Sequence, residues 1–169
     1  MRVAFGLVLA ALTSGGDAYS QVRSPIVSSD EPIYVQSRAG ELLRNECRGV
    51  YLGDVIATQG KSRLTTDKLT LLGSQPAGPA GDCETDRFIA EANVLYTTPE
   101  LRIRADRAVY DQTAEIITFT GKVSLRNANG SVMQGTVLVY SIADGKASIT
   151  AGAGPIETTI QPSKRDAPN

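Results

Sequence analysis

Three copies of one short unit, alike in their internal offsets, recur along this chain of 169 residues. They start at Gly53-Asp54-Val55, Ala92-Asn93-Val94 and Gly121-Lys122-Val123. Nine residues after each valine stands an apolar residue (Leu64, Ile103, Val132), and fourteen after it another small or aliphatic one (Leu69, Ala108, Val137). Twelve residues after each valine come Asp67, Asp106 and Gly135. An offset held in this way marks stacked supersecondary units, each too small to bury its apolar face alone. A partial copy precedes them: Ile33 and Val35 lie 22 and 20 residues before Val55, as Leu101 and Ile103 lie before Val123. Chance likeness among Val- and Thr-rich strands does not keep four copies concordant, so the register runs from about Pro32 to Ile149.

Each unit reads as strand, turn, strand. Leu101-Arg102-Ile103-Arg104-Ala105 alternates apolar and polar, as does Ile117 to Leu125, while Tyr51 to Ala57 follows the pattern less cleanly. Such alternation marks strands with one face inward and one in water. Turn signals fall at matching places, Gln59-Gly60, Pro99-Glu100 and Asn129-Gly130, with Asp111-Gln112 and Asp144-Gly145 serving the next connections. Asn-Gly is the strongest of these, since both residues tolerate positive φ. The second unit carries an insertion, Gly73 to Gly81, rich in Gly, Pro and Ala, which reads as an exposed loop. No long helical pattern follows the first twenty residues, so the chain is expected to be all-β.

Composition narrows the chemistry. A net charge of −1 gives no sign of the clustered cations that nucleic acid requires, so no nucleic-acid partner is expected. The chain has no histidine, which removes the commonest general base and zinc ligand, and two cysteines alone cannot build a tetrahedral metal site. No catalytic residue, metal or cofactor is expected. The N-terminus reads as an address: Arg2, an apolar run from Val3 to Leu12 too short to cross a bilayer, then small residues around Ala18-Tyr19-Ser20. Cleavage before Gln21 and export are expected, an uncleaved anchor being the alternative. In an oxidising compartment the only two cysteines, Cys47 and Cys83, are expected to form a disulfide stapling neighbouring units, the alternative being two free buried thiols.

Asp30 to Ser37, Gly53 to Gly60, Ala105 to Asp111 and Phe119 to Leu125, taken in this order, resemble the OstA-like family of lipopolysaccharide-transport proteins. The likeness covers about Ser29 to Ile149. It implies an open, twisted antiparallel β-jelly roll, V-shaped and repeat-built, enclosing an apolar interior groove. The expected division is a signal peptide over 1–20, a flexible segment over 21–30, the OstA-like domain over 31–160 and a disordered tail over 161–169. The resemblance also implies a periplasmic conduit rather than an enzyme, carrying lipopolysaccharide with the lipid A acyl chains shielded in the groove. Its partners would be the inner-membrane extraction complex and the outer-membrane translocon, whose components share the fold. The cysteine pair and the Gly73–Gly81 insertion depart from the family pattern.

Strand parity sends every second residue inward. The inward set is Ile33, Val35, Tyr51, Val55, Val94, Leu101, Ile103, Ile117, Phe119, Val123 and Leu125, and the resemblance adds Tyr110 and marks Ile33 and Val35 as lipid-facing. Core packing and lipid lining look alike at this level. An open roll has two free edges, and strand addition between them allows docking to partners and head-to-tail self-association. The expected contact strands are the one from Ile33, Val137–Tyr140 and Ala147–Thr150. Asp67 and Asp106 occupy equivalent places, but with Lys68 or Arg107 beside them, and Gly135 in the third copy, they read as turn or bulge residues in surface ion pairs, not as a glycosidase acid pair. Two other readings stand: a β-scaffold or adaptor with no lipid in its groove, or a membrane-anchored partner of the same pathway; a small carbohydrate-active enzyme is a distant third.

Overall fold

Every second long strand carries a bulge at the same level, and those bulges give the molecule its shape. The computed structural model describes residues 31–74, 83–152 and 154–161. The strands are β1 (Tyr34–Gln36), β2 (Ala39–Leu43), β3 (Arg48–Gln59), β4 (Ser62–Ser74), β5 (Glu84–Thr97), β6 (Leu101–Asp111), β7 (Ile116–Asn127), β8 (Val132–Ser141), β9 (Lys146–Thr150) and β10 (Glu157–Thr159). All pairings are antiparallel in one sheet, ordered β1-β3-β4-β5-β6-β7-β8-β10, with β2 also on β3 and β9 also on β8; neighbours in sequence pair from β2 to β9, while β1 joins β3 and β10 joins β8. The pairing never returns from β8 to β1, so the jelly roll is open. The expected signal peptide, the segment over 21–30 and the tail beyond Gln161 lie outside the described residues.

The repeated Gly-Asp-Val units are the bulges. The pairing register shifts between Leu52 and Val55, Glu91 and Val94, and Thr120 and Val123. The residues inside take left-handed backbone: Gly53 and Asp54, Ala92 and Asn93, and Gly121. An extra residue bends the strand and raises its twist. Repeated across the sheet, the bend divides it into two leaves. Leaf 1 holds the ends of the strands near the Gly60, Pro99 and Asn129 turns, with β1 and β10 at its edges. Leaf 2 holds the opposite ends, with β2 and β9 at its edges.

Asp67 and Asp106 brace these bends. The Asp67 carboxylate accepts a 2.7 Å hydrogen bond from the Asn93 side chain, inside the bulge of the next strand. Asp106 accepts one of 3.1 Å from the backbone N–H of Lys122 in the bulge of β7. A Cβ on Gly121 (φ +99°) would overlap that Asp106 carboxylate, so the site needs glycine. The expected ion pairs with their chain neighbours are replaced: Lys68 pairs with Glu91 at 2.9 Å. Carboxylates aimed at bulge donors have better partners than flexible lysines in water.

The third copy departs from the expected spacing by one residue. Its turn is longer, with Leu125 opposite Met133 and Phe119 opposite Leu138. Met133 and Leu138 therefore point inward, whereas Val132 and Val137, the residues at the repeat offsets, pair with the outward Arg126 and Thr120. The partial fourth copy keeps its register: Val35 pairs with Ala57 as Ile103 pairs with Leu125. Gly73 and Ser74 belong to β4, pairing with Thr85 and Glu84, so they are strand rather than loop; the rest of the expected loop lies outside the described residues.

The core lies between the leaves. Val55, Leu69, Val94, Ile103, Phe119, Leu138 and Tyr140 are almost wholly buried. Tyr96 of leaf 1 meets Phe119 of leaf 2 with ring centroids 6.0 Å apart. Cys47, just before β3, and Cys83, just before β5, form a disulfide with their Cα atoms 5.3 Å apart. It fastens two strands that flank β4.

Candidate functional site: an apolar slot between the leaves

Three inward rows of leaf 2 and leaf 1 leave a gap at their middle. Across leaf 2 one row runs Tyr51, Leu69, Ala90, Ala108, Phe119, Leu138, Ile149. Large side chains stand at its ends and two alanines at its centre. The next row of that leaf runs Leu71, Phe88, Tyr110, Ile117, Tyr140. Facing them, leaf 1 supplies Ala57, Leu64, Tyr96, Ile103 and Leu125 in register. Where Ala57, Ala90 and Ala108 meet, a cavity of about 90 Å³ remains, walled also by Leu64, Leu69, Phe88, Tyr96, Tyr110, Ile117 and Phe119.

The slot opens toward the N-terminal edge. A wider depression of about 800 Å³ begins at Ile33, Val35, Tyr51, Leu71 and Phe88 and is rimmed by Glu84, Thr85 and Asp86. A second opening of about 300 Å³ lies among Glu31, Ile33, Gln59, Tyr110 and Glu115. Ile33, 37% exposed, touches all three spaces. Small-molecule sites usually need about 300–1,000 Å³. The inner slot is below that range and the mouth is within it, so a long apolar chain enters fully only when the leaves part.

Of the twelve residues singled out from the sequence, Ile33, Tyr110, Ile117 and Phe119 line the slot, and Val35 and Tyr51 line its mouth. Val55, Val94, Ile103, Val123 and Leu125 are buried by other side chains, and Leu101 packs against that core at its rim. The inward set left out Leu69, Phe88, Ala90, Ala108 and Tyr96, although Tyr96 stands two residues after the inward Val94. The available signal was a small residue at an inward position between two large ones, and Ala108 already stood at a repeat offset.

The phenols that border the slot are kept neutral. Tyr96 donates a 3.3 Å hydrogen bond to the Ser62 hydroxyl, and burial pushes its phenol up to about 12. Burial also raises Tyr110, with Glu115 and Asp111 adding repulsion. At the mouth, Asp111 is held below the usual carboxylate range by the Ala114 N–H and by Arg87, 3.2 Å away. A wall of this kind holds apolar matter by exclusion of water and offers nothing to activate a bond. No group of three or more His, Cys, Asp or Glu among the described residues is arranged to hold a metal ion.

The edges differ from the expected contact strands in one respect. Val137–Tyr140 lies within β8, which pairs with β7 on one side and with β9 and β10 on the other. Its backbone groups are used, so it offers no free edge. The outer strands are β1 and β2 at one end, β9 and β10 at the other, each only three to five residues long. Exposed apolar residues gather at both ends: Tyr34 and Leu42 at the first, Ile156 and Ile160 at the second.

An open antiparallel jelly roll built from bulged repeats around an apolar slot defines a β-carrier or scaffold rather than an enzyme. The sequence pattern of the family described as LptA/(LptD N-terminal domain) LPS transport protein matches residues 34–146, and the chain belongs to that family. Its members are transport proteins, not enzymes. An uncharacterised protein of Rhizobium meliloti (strain 1021) is 22% identical over 148 residues, spanning 86% of this chain and 80% of that protein. The crystal structure of LptH from Pseudomonas aeruginosa, described as the LptA-homologous periplasmic component of the lipopolysaccharide transport device, matches with a TM-score of 0.66 at 22% identity. That match covers 78% of this chain and 96% of LptH, and at such identity it bears on the fold.

Proposed function

We propose that this chain is an exported, periplasmic carrier of lipopolysaccharide that shelters lipid A acyl chains between its leaves. The observation that carries the reading is the apolar slot opening at Ile33 into a mouth wide enough for more than one chain. Leaving one twelve-carbon chain in water costs on the order of 10 kcal/mol at about 0.8 kcal/mol per CH₂. The sugars and phosphates stay outside, where Glu84, Asp86 and solvent bound the opening. In this reading the N-terminal edge, β1 and β2, and the C-terminal edge, β9 and β10, add strands from inner-membrane and outer-membrane partners of the same fold, or from further copies head to tail.

The test is a photo-crosslinking amino acid at Ile33 or Tyr110, with lipopolysaccharide as the captured species. Capture at these two positions and none at the outward Thr118 is the expected result. Capture at Thr118 with none at Ile33 or Tyr110 refutes the slot. The scaffold reading, in which the same edges work with no lipid inside, is separated by lipid analysis of the purified protein.

A further inference from the structure

The outer face of leaf 1, turned away from the slot, carries four arginines that nothing in the fold uses. The register places them in two adjoining rows. One row runs Thr58, Arg63, Thr97, Arg102, Arg126 across β3 to β7. The other runs Ile56, Thr65, Leu95, Arg104, Ser124. With strands about 4.8 Å apart, all four guanidinium stems rise from a patch about 15 Å across. All four residues are exposed. None is within salt-bridge distance of a carboxylate among the described residues; the ion pairs found there use Arg38, Arg48, Lys68 and Arg87.

Arg102 and Arg126 are direct cross-strand partners. Like charges in that position work against the sheet. A fold gains nothing from that arrangement, so the cause lies outside it. Apart from the half-buried Ile56, Leu95 and Val132 the rest of the face is mostly polar, and from β3 to β8 the described residues place no aromatic side chain there to anchor a protein hot spot or to stack a base. Its acids among the described residues lie at the borders: Glu100 at a turn, Asp54, Asp67 and Asp106 at the bulges, with Asp54 paired to Arg38, and Glu157 on β10. Meanwhile Glu31, Glu84, Asp86 and Glu115 collect at the mouth. A chain of net charge −1 has thus separated its charges, leaving one flat, open, basic sheet face.

We propose that this face docks the protein onto the phosphate headgroups of an anionic phospholipid membrane. A planar array of unpaired guanidinium groups suits a sheet of phosphates, which arginine grips through paired N–H donors. A single small anion would need a concave site, and none of these four arginines lines the slot or either of its openings. The slot lies against the inner face of leaf 1 and opens at the N-terminal edge beside Glu31, Glu84 and Asp86, whereas these arginines stand on the outer face. The one aromatic at the margin, Tyr34 on β1, is 66% exposed and of the type that favours a membrane interface.

Flotation with vesicles tests this on the whole chain without its first twenty residues. The vesicles are phosphatidylglycerol with phosphatidylethanolamine, against pure phosphatidylcholine. The wild type should float with the anionic vesicles only, and less so as salt rises. Each basic residue at such a surface multiplies affinity about fivefold, so Arg102→Gln/Arg126→Gln should bind about 25-fold more weakly. That variant removes a repulsive pair, so its melting temperature should not fall. Arg107→Gln/Lys146→Gln, which removes two charges from leaf 2, should bind as the wild type does. Equal loss in both variants, binding to phosphatidylcholine, or a Gln variant that loses only self-association or lipopolysaccharide capture overturns the proposal. Lipopolysaccharide crosslinking at Tyr110 reads the slot independently of flotation, so the docking face and the slot fail separately.

Discussion

Filling the slot from its floor should abolish lipid uptake while sparing the fold. Ala108 is buried, stands between Ala90 and Phe119 in register, and faces the cavity of about 90 Å³. Ala108→Leu adds three carbons at that point. Burying them contributes about 2.4 kcal/mol at 0.8 kcal/mol per methylene. Crowding the neighbouring rings costs about 1–3 kcal/mol. The two nearly cancel, so the melting temperature should move by only a few degrees. A bound acyl chain loses the space of roughly three methylenes, which again is about 2.4 kcal/mol and a fall of about fiftyfold in affinity. The assay is displacement of a fluorescent dodecanoyl probe, run beside thermal melting, with Val109→Leu on the outer face of the same strand as control. An Ala108→Leu protein that melts normally and binds the probe with undiminished affinity refutes the claim that chains lie between the leaves.

Loss of the Cys47–Cys83 bridge should lower stability by about 3–4 kcal/mol for a loop of 36 residues, measured as the difference in urea midpoints between the native chain and Cys47→Ser/Cys83→Ser. The Tyr96 phenol gives a pH signature. The unfolded phenol loses its proton near 10 and the buried one near 12, so its stabilisation is complete below pH 10 and lost as pH rises through 12. That loss is about 2–3 kcal/mol by pH 12, and Tyr96→Phe should flatten the alkaline fall in denaturant stability. Gly121→Ala should cost about 1–3 kcal/mol from backbone strain at φ +99°, and Asp106→Ala in the same chain should recover part of it; a fully additive double-mutant cycle would show that the carboxylate does not press on the bulge.

Local sequence determined the rhythm of this protein. The Gly53, Asn93 and Gly121 units were legible as a repeat because residues with left-handed backbone must recur wherever each strand bends. The alternation in β6 and β7 named Ile103, Ile117, Phe119 and Leu125 as inward for the same local reason. The Asn129-Gly130 turn was legible too, but its length was not, and one extra residue turned Val132 and Val137 outward in favour of Met133 and Leu138. Which inward residues pack on each other and which leave a gap depended on what faces them across the leaves. Phe119 and Val94 have the same parity, yet one borders the slot and the other is sealed. The two Asp residues found their donors, and the four arginines found one another, only when strands far apart in the chain came into register. Periodicity is a property of consecutive residues; cavities, charge clusters and free edges are properties of neighbours that the chain order does not name.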